Sequence, residues 1–347
     1  MIQKHTISRD DNTYQAWPDL TLTKSGKLVC VFAACDQHWP RIKTQIMLCE
    51  SNDRGRTWSE KKALTPAGDL PTPIWNCPRI TTLSDGRLAV LVDTNLGNEN
   101  GDINSLNNLL FFSSDEGQTW SEPVMTPAKG VCPDKLLELE CGRWIISCQY
   151  PHPKSGNLVQ RLWYSDDKGK TWSDPIIVGQ QKDLDLCEVS ILQINHSTLV
   201  AFHRENTMDG QDCYKTFSTD KGEHWSDPIR FPIPGCHRPI SGYLQNGKIM
   251  ITYRYLQGAG GTEWLGTRAQ NFMAALTDTE SALAYDRKLA ATRLMPIDYD
   301  RSEVADLGYS GWVQFDDGEI YIAYYIVDDA PKAQIRGCSF QPSEFII

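Results

Sequence analysis

Along this chain, short runs of alternating or continuous apolar residues end repeatedly at a turn residue. Examples are Asp19-Leu-Thr-Leu-Thr-Lys-Ser-Gly26-Lys-Leu-Val and Arg79-Ile-Thr-Thr-Leu-Ser-Asp-Gly86-Arg-Leu-Ala. Similar stretches lead to Gly142-Arg-Trp, Ser197-Thr-Leu-Val, Gly247-Lys-Ile-Met and Gly318-Glu-Ile-Tyr. The apolar period is that of strands and the punctuation that of hairpins. Six such runs, each followed by further strand pattern, predict six units of about four strands.

A second repeat supports the same unit. SNDRGRTW (51–58), SSDEGQTW (113–120), SDDKGKTW (165–172) and STDKGEHW (218–225) share Ser, Asp, Gly and Trp at fixed places. Their tryptophans, Trp58, Trp120, Trp172 and Trp225, stand 62, 52 and 53 residues apart. The chemistry is that of a tight turn. The aspartate bonds backbone N–H groups just ahead of it, the glycine supplies positive φ, and the tryptophan carries apolar area into a neighbour. These carboxylates are therefore read as structural. Units five and six lack a clear octet, and Thr277-Asp278-Thr279 reads as a decayed one. Radial repetition of four-stranded sheets is a β-propeller. The expected fold is an all-β, six-bladed propeller with antiparallel blades, forming a single domain over 1–347. Its blades are expected near 14–63, 70–125, 127–177, 183–230, 232–297 and 300–347, with residues 2–8 as a closing strand that hides a sheet edge.

Composition narrows the function. The 347 residues carry 34 basic and 44 acidic side chains, a net charge of −10, which disfavours a nucleic-acid partner because such binding rests on clustered Lys and Arg. No run approaches the roughly 18 apolar residues of a membrane span. The first residues, MIQKHTISRDD, lack the apolar stretch of a secretory signal. Eleven cysteines without a CxxC pair argue against zinc and for reduced thiols, so the expected location is cytoplasmic. No metal or organic cofactor is expected. The partner expected is a small-molecule or oligosaccharide substrate, with oligomeric state open.

Candidate site residues come from register. Nine residues before each turn residue stand Trp17, Cys77, Pro133, Glu188, Arg238 and Tyr309; two further on, on the same strand face, stand Asp19, Arg79, Lys135, Ser190, Ile240 and Gly311. In propellers the first strand of each blade lines the axis. Ionisable residues gathered there suggest a binding pocket more than a packed interior. The blander reading is a channel mouth that is simply wet.

The octet resembles the Asp-box, or BNR repeat, of the sialidase (neuraminidase) superfamily of six-bladed propeller glycoside hydrolases, and the resemblance in period spans nearly the whole chain. Leu186-Cys-Glu188-Val-Ser-Ile followed by Arg204 in AFHREN is similar to that family's Glu-then-Arg strand pair. Arg238 in GCHRPISG resembles its third arginine, and Gly308-Tyr309-Ser310 its catalytic tyrosine strand. Asp36, in VFAACDQH, falls where the family's acid loop lies. One departure stands out: the Arg-Ile-Pro motif that supplies the first arginine is replaced by Tyr14-Gln-Ala-Trp17-Pro18-Asp19, leaving Arg79 as the substitute.

The resemblance implies removal of a terminal acidic sugar, foremost a sialic acid, with retention. Guanidinium forks of Arg79, Arg204 and Arg238 would hold the carboxylate. Tyr309 would be the nucleophile, because a carboxylate would be repelled by the substrate's own anion. Glu188 would act as its base and Asp36 as the acid, with His38 and Asp19 as competing acids. Asp19, His38, His237 and Trp17 complete the expected binding set, with Arg254 an alternative to Arg204. Trp75, Trp264 and Trp312 read as sugar platforms or as packing, and the Gly258-Ala-Gly-Gly261 run as a loop over the pocket. Two other functions stay open. One is a glycosidase or lyase for a uronic acid or a rhamnose-linked sugar, with Tyr309 or His237 moving a proton. The other is a non-catalytic carbohydrate-binding propeller.

Overall fold

The computed structural model describes residues 2–39, 41–69, 74–95, 106–152, 156–207, 211–257 and 269–345. The Gly258–Gly261 run and Trp264 lie outside them. The fold class is the all-β six-bladed propeller, with four-stranded antiparallel blades. The chain divides into two compact units, residues 1–136, 300–302 and 306–347 in one and 137–299 and 303–305 in the other.

The first unit holds three sheets. Strand β1 (Gln3–Ser8) is the outermost strand of the last sheet. The first complete sheet is β2 (Tyr14–Leu22), β3 (Leu28–Cys35), β4 (Lys43–Ser51) and β5 (Lys62–Ala63), with β6 (Gly68–Asp69) also on β4. The next is β7 (Ile74–Thr82), β8 (Leu88–Asn95), β9 (Leu106–Ser113) and β10 (Val124–Met125). In the second unit come β11 (Leu137–Glu138), β12 (Trp144–Pro151), β13 (Leu158–Ser165) and β14 (Ile176–Gly179). They are followed by β15 (Leu186–Gln193), β16 (Leu199–Glu205), β17 (Asp212–Ser218) and β18 (Ile229–Pro234). The third sheet there is β19 (Cys236–Tyr243), β20 (Ile249–Gln257), β21 (Ala269–Thr277) and β22 (Arg293–Tyr299). Back in the first unit, β23 (Leu307–Gln314), β24 (Ile320–Ile326) and β25 (Gln334–Phe340) take β1 as fourth strand, with Lys4 opposite Cys338. The edge of β25 is thereby paired, as the opening segment of the sequence suggested. Strand β18 runs on to Pro234, past the expected blade edge at 230.

The octets explain why the blades end as they do. Each sits between the third and fourth strands. In the first, Ser51 Oγ accepts from Gly55 N (2.8 Å) and donates to Asp53 Oδ1 (2.8 Å), which also accepts from Thr57 N (2.9 Å). Trp58 Nε1 closes the turn onto Gly55 O at 3.1 Å. Gly55 has φ 82° and Arg54 before it φ 62°. A Cβ on Gly55 would stand 2.1 Å from the Tyr321 ring, so this turn needs glycine for contact as well as for φ. These bonds hold Asp53, Asp115, Asp167 and Asp220 down to about 2, since hydrogen bonds to the charged form favour it. At Asp278 the octet has given way to a one-turn helix, α1 (Thr279–Leu283), whose Ser281 N bonds the Asp278 carboxylate at 2.9 Å.

Candidate active site

The first strand of five blades is broken at one equivalent place. Pairing slips between Ala16 and Asp19, Trp75 and Pro78, Cys187 and Ser190, His237 and Ile240, and Gly308 and Ser310. Inside four of these bulges stand Trp17 (φ 54°), Glu188 (φ 41°), Arg238 (φ 51°) and Tyr309 (φ 34°). A bulge re-aims a side chain, and a left-handed non-glycine residue costs of order 1–3 kcal/mol unless its surroundings impose it. All four side chains are buried. The same costly conformation thus recurs at four positions that the sequence register singled out. In the third blade the left-handed residue is Cys132 (φ 53°), one before Pro133.

Immediately after each bulge the first strands of neighbouring blades are tied together. In the first unit Ile80 N donates to Asp19 Oδ2 (2.8 Å), and Arg79 Nη2 lies 3.3 Å from Asp19 Oδ1. Arg79 Nη1 donates to Ser310 O at 3.1 Å. Asp19 and Arg79 were expected to bind substrate; here they knit β2, β7 and β23. Burial raises the Asp19 carboxyl, partly offset by the Arg79 charge. Gly311 fits against them so closely that a Cβ would lie 2.1 Å from Asp19 Oδ1. In the second unit the same place is held by Ser190 Oγ and Ser241 Oγ, 2.9 Å apart.

Around the first unit's bulges lies an aromatic and acidic cluster. The Tyr309 ring meets Tyr325 edge-on at 6.2 Å, and Tyr325 OH donates to Asp306 Oδ1 (2.9 Å). The other oxygen, Oδ2, lies 2.7 Å from His38 Nδ1 and also accepts from the Tyr14 hydroxyl. The His38 ring stands edge-on to Trp17 at 5.3 Å, and the Arg41 guanidinium lies 4.4 Å from the Trp17 ring centre. Burial and then the Asp306 charge push the Tyr14 hydroxyl well above its ordinary value. Asp36, the expected acid, is half-buried and turned onto its own loop: Oδ1 accepts from Ile42 N (3.1 Å) and Lys43 N (3.3 Å). Trp75 is packed in the core, its Nε1 on Pro66 O.

The second unit carries Arg204, Arg238 and Arg254. Glu188 Oε2 accepts from Arg204 Nη1 at 2.7 Å, both buried, and Arg204 lies opposite Cys187 across β15 and β16. His237 and Arg254 are cross-strand partners on β19 and β20, both buried, beside Arg238. Tyr309 belongs to the first unit and Glu188 to the second.

Asp306 and Arg41 escaped the sequence reading. Asp306 is one acid among Asp298, Asp300 and Glu303, and no repeat marks it. Arg41 follows the acid loop without a register of its own. Among the described residues no group of three or more His, Cys, Asp or Glu side chains could hold a metal ion.

Residues 91–257 match the family model described as a BNR repeat-like domain. A sialidase from Clostridium perfringens is 26% identical over 186 residues, covering 48% of this chain and 46% of that enzyme, so the match spans less than half of the relative's length. Among solved structures, the NanB sialidase of Streptococcus pneumoniae superposes with a TM-score of 0.70 at 14% identity, over 98% of this chain and 70% of that one. An α-L-arabinofuranosidase of Fusarium graminearum gives 0.68 at 12% identity, over 99% of both. The resemblance drawn from the octets is borne out at the level of repeat and fold.

Proposed function

Starting from a chain with the repeats and fold of the sialidase superfamily, we propose that this protein is an exo-acting glycoside hydrolase that removes a terminal acidic sugar, foremost a sialic acid, with retention. The observation that carries this reading is the shared bulge. Trp17, Glu188, Arg238 and Tyr309 take the same left-handed backbone at the same strand position, and strain of this kind is kept where function requires it.

In the proposed reaction the Tyr309 oxygen attacks the anomeric carbon while Glu188 takes its proton. A phenol of reference pKa about 10 needs such a base. The leaving glycosidic oxygen receives a proton from an acid in the site, and water later displaces the phenolate with the same group as base. The Arg204 bond to Glu188 Oε2, at 2.7 Å, fixes the position of that carboxylate. Arg238 and Arg204 serve the substrate carboxylate through forked donors. With Arg79 engaged by Asp19 and Ser310, the anion clamp of this reading has two arginines. That same observation favours a second reading, a glycosidase for another sugar such as a uronic acid or a rhamnose-linked residue, and the arabinofuranosidase shows that the fold hosts other sugar chemistry.

A panel of fluorogenic glycosides tests the choice. Release from a sialoside, with none from uronide or arabinofuranoside, is the result expected. Turnover confined to another sugar selects the second reading, and no turnover on any member overturns both.

A further inference from the structure

Three acids competed on sequence grounds for the proton-donating role, and their surroundings separate them. Asp19 is buried beneath the strand knot, with one oxygen on Ile80 N and the other beside Arg79. Asp36 spends Oδ1 on the backbone N–H groups of Ile42 and Lys43. Its backbone oxygen accepts from Lys332 Nζ at 2.6 Å. Both aspartates therefore hold architecture in place.

His38 is built differently. Its Nδ1 lies 2.7 Å from Asp306 Oδ2 and 3.0 Å from the Tyr14 hydroxyl. The Asp306 side chain is only 3% exposed, whereas that of His38 is 16% exposed. A carboxylate on Nδ1 fixes the ring's orientation and tautomer, and commits Nε2 to proton exchange. Asp306 also holds the Tyr325 hydroxyl, and Tyr325 packs edge-on against Tyr309. One buried carboxylate thus positions both the imidazole and the ring beside the proposed nucleophile.

We infer that His38 is the acid and base of the reaction and that Asp306 is its positioning residue, an inference that rests on the proposed glycosidase reading. In the first step the bond from the anomeric carbon to the leaving oxygen breaks. The imidazolium Nε2 proton passes to that oxygen while the Tyr309 oxygen bonds the same carbon. In the second, neutral Nε2 takes a proton from water as the water oxygen displaces Tyr309, whose phenolate recovers the proton held by Glu188. Among the described contacts, the charged and titratable groups around the imidazole include Asp306 on the segment before β23, Tyr14 on β2, Tyr325 on β24 through Asp306, and Arg41 across Trp17.

An acid is needed most where the leaving group is poor. The test compares kcat/KM on an aryl glycoside and on an alkyl glycoside of the same sugar, for the wild type, His38→Gln, Asp306→Asn and Asp36→Asn, across pH. The inference expects His38→Gln to lose about 100-fold or more on the alkyl substrate and roughly tenfold or less on the aryl one. It also expects the alkaline limb of the wild-type profile to vanish. Asp306→Asn should show the same substrate split in smaller measure, and Asp36→Asn should lower both substrates by one factor. Equal losses for His38→Gln, or a split confined to Asp36→Asn, overturn the inference. If the wild type cleaves another sugar, the sialidase reading falls while the same pair of leaving groups on that sugar still decides the role of His38. Absence of turnover on every sugar overturns both.

Discussion

Acid should destabilise this protein through one histidine in particular. His203 lies on β16 with no exposed surface, its Nε2 2.9 Å from Thr216 Oγ1, and Gly179 leaves it no spare room: a Cβ there would be 2.9 Å from the ring. Burial lowers its pKa from 6.5 to about 3. The folded state thus keeps the ring neutral where the unfolded chain would protonate it. The contribution is level above pH 6.5, and stability is lost as pH falls from there towards the folded value. Linkage puts the loss between pH 7.5 and pH 5 at about 2 kcal/mol, approaching about 5 kcal/mol below pH 3. Urea unfolding followed by tryptophan fluorescence, at pH 7.5 and pH 5, on the wild type and His203→Gln isolates the effect. Glutamine keeps a group able to bond Thr216 and cannot titrate. The wild type should lose about 2 kcal/mol more than the variant over this interval. Equal losses would refute the argument that burial of this imidazole sets the acid limit.

Other consequences are as direct. Gly311→Ala places a methyl 2.1 Å from Asp19 Oδ1 and 2.3 Å from Leu20 N, where the backbone has no soft side chain to move. It should cost about 3 kcal/mol or more, seen as a large fall in Tm, and a Tm within a degree of wild type would dissolve the strand knot as described. Ser51→Ala removes the acceptor of the buried Gly55 N–H. A loss of about 1–3 kcal/mol is expected in the same unfolding assay, and no loss would mean that the octet's serine is dispensable.

The fold was readable because its signals are local. An octet that satisfies its own backbone within eight residues, and a turn glycine at φ near 90° such as Gly26 or Gly318, announce themselves in sequence whatever surrounds them. The same register led to the four bulged positions, since a fixed distance from the turn fixes the place on the strand. What it did not reveal was how the side chains are employed. Arg79 and Asp19 look alike on paper whether they meet a substrate or each other, and only the approach of β2, β7 and β23 decides. The partner of His38 lies 268 residues away in the chain, beyond any spacing argument. The third blade shows the limit of register itself: β11 has two residues, and the left-handed residue moved to Cys132.

The central claim is that Tyr309 forms a covalent bond to the sugar. A sialosyl fluoride bearing a second fluorine on the adjacent carbon slows release of such an adduct, and peptide mass spectrometry after a brief incubation locates it. The account predicts one added fluorosialosyl group on the peptide containing Tyr309, absent from Tyr309→Phe. A label on Glu188, or turnover of the probe with no label on any residue while Tyr309→Phe stays active, would contradict it.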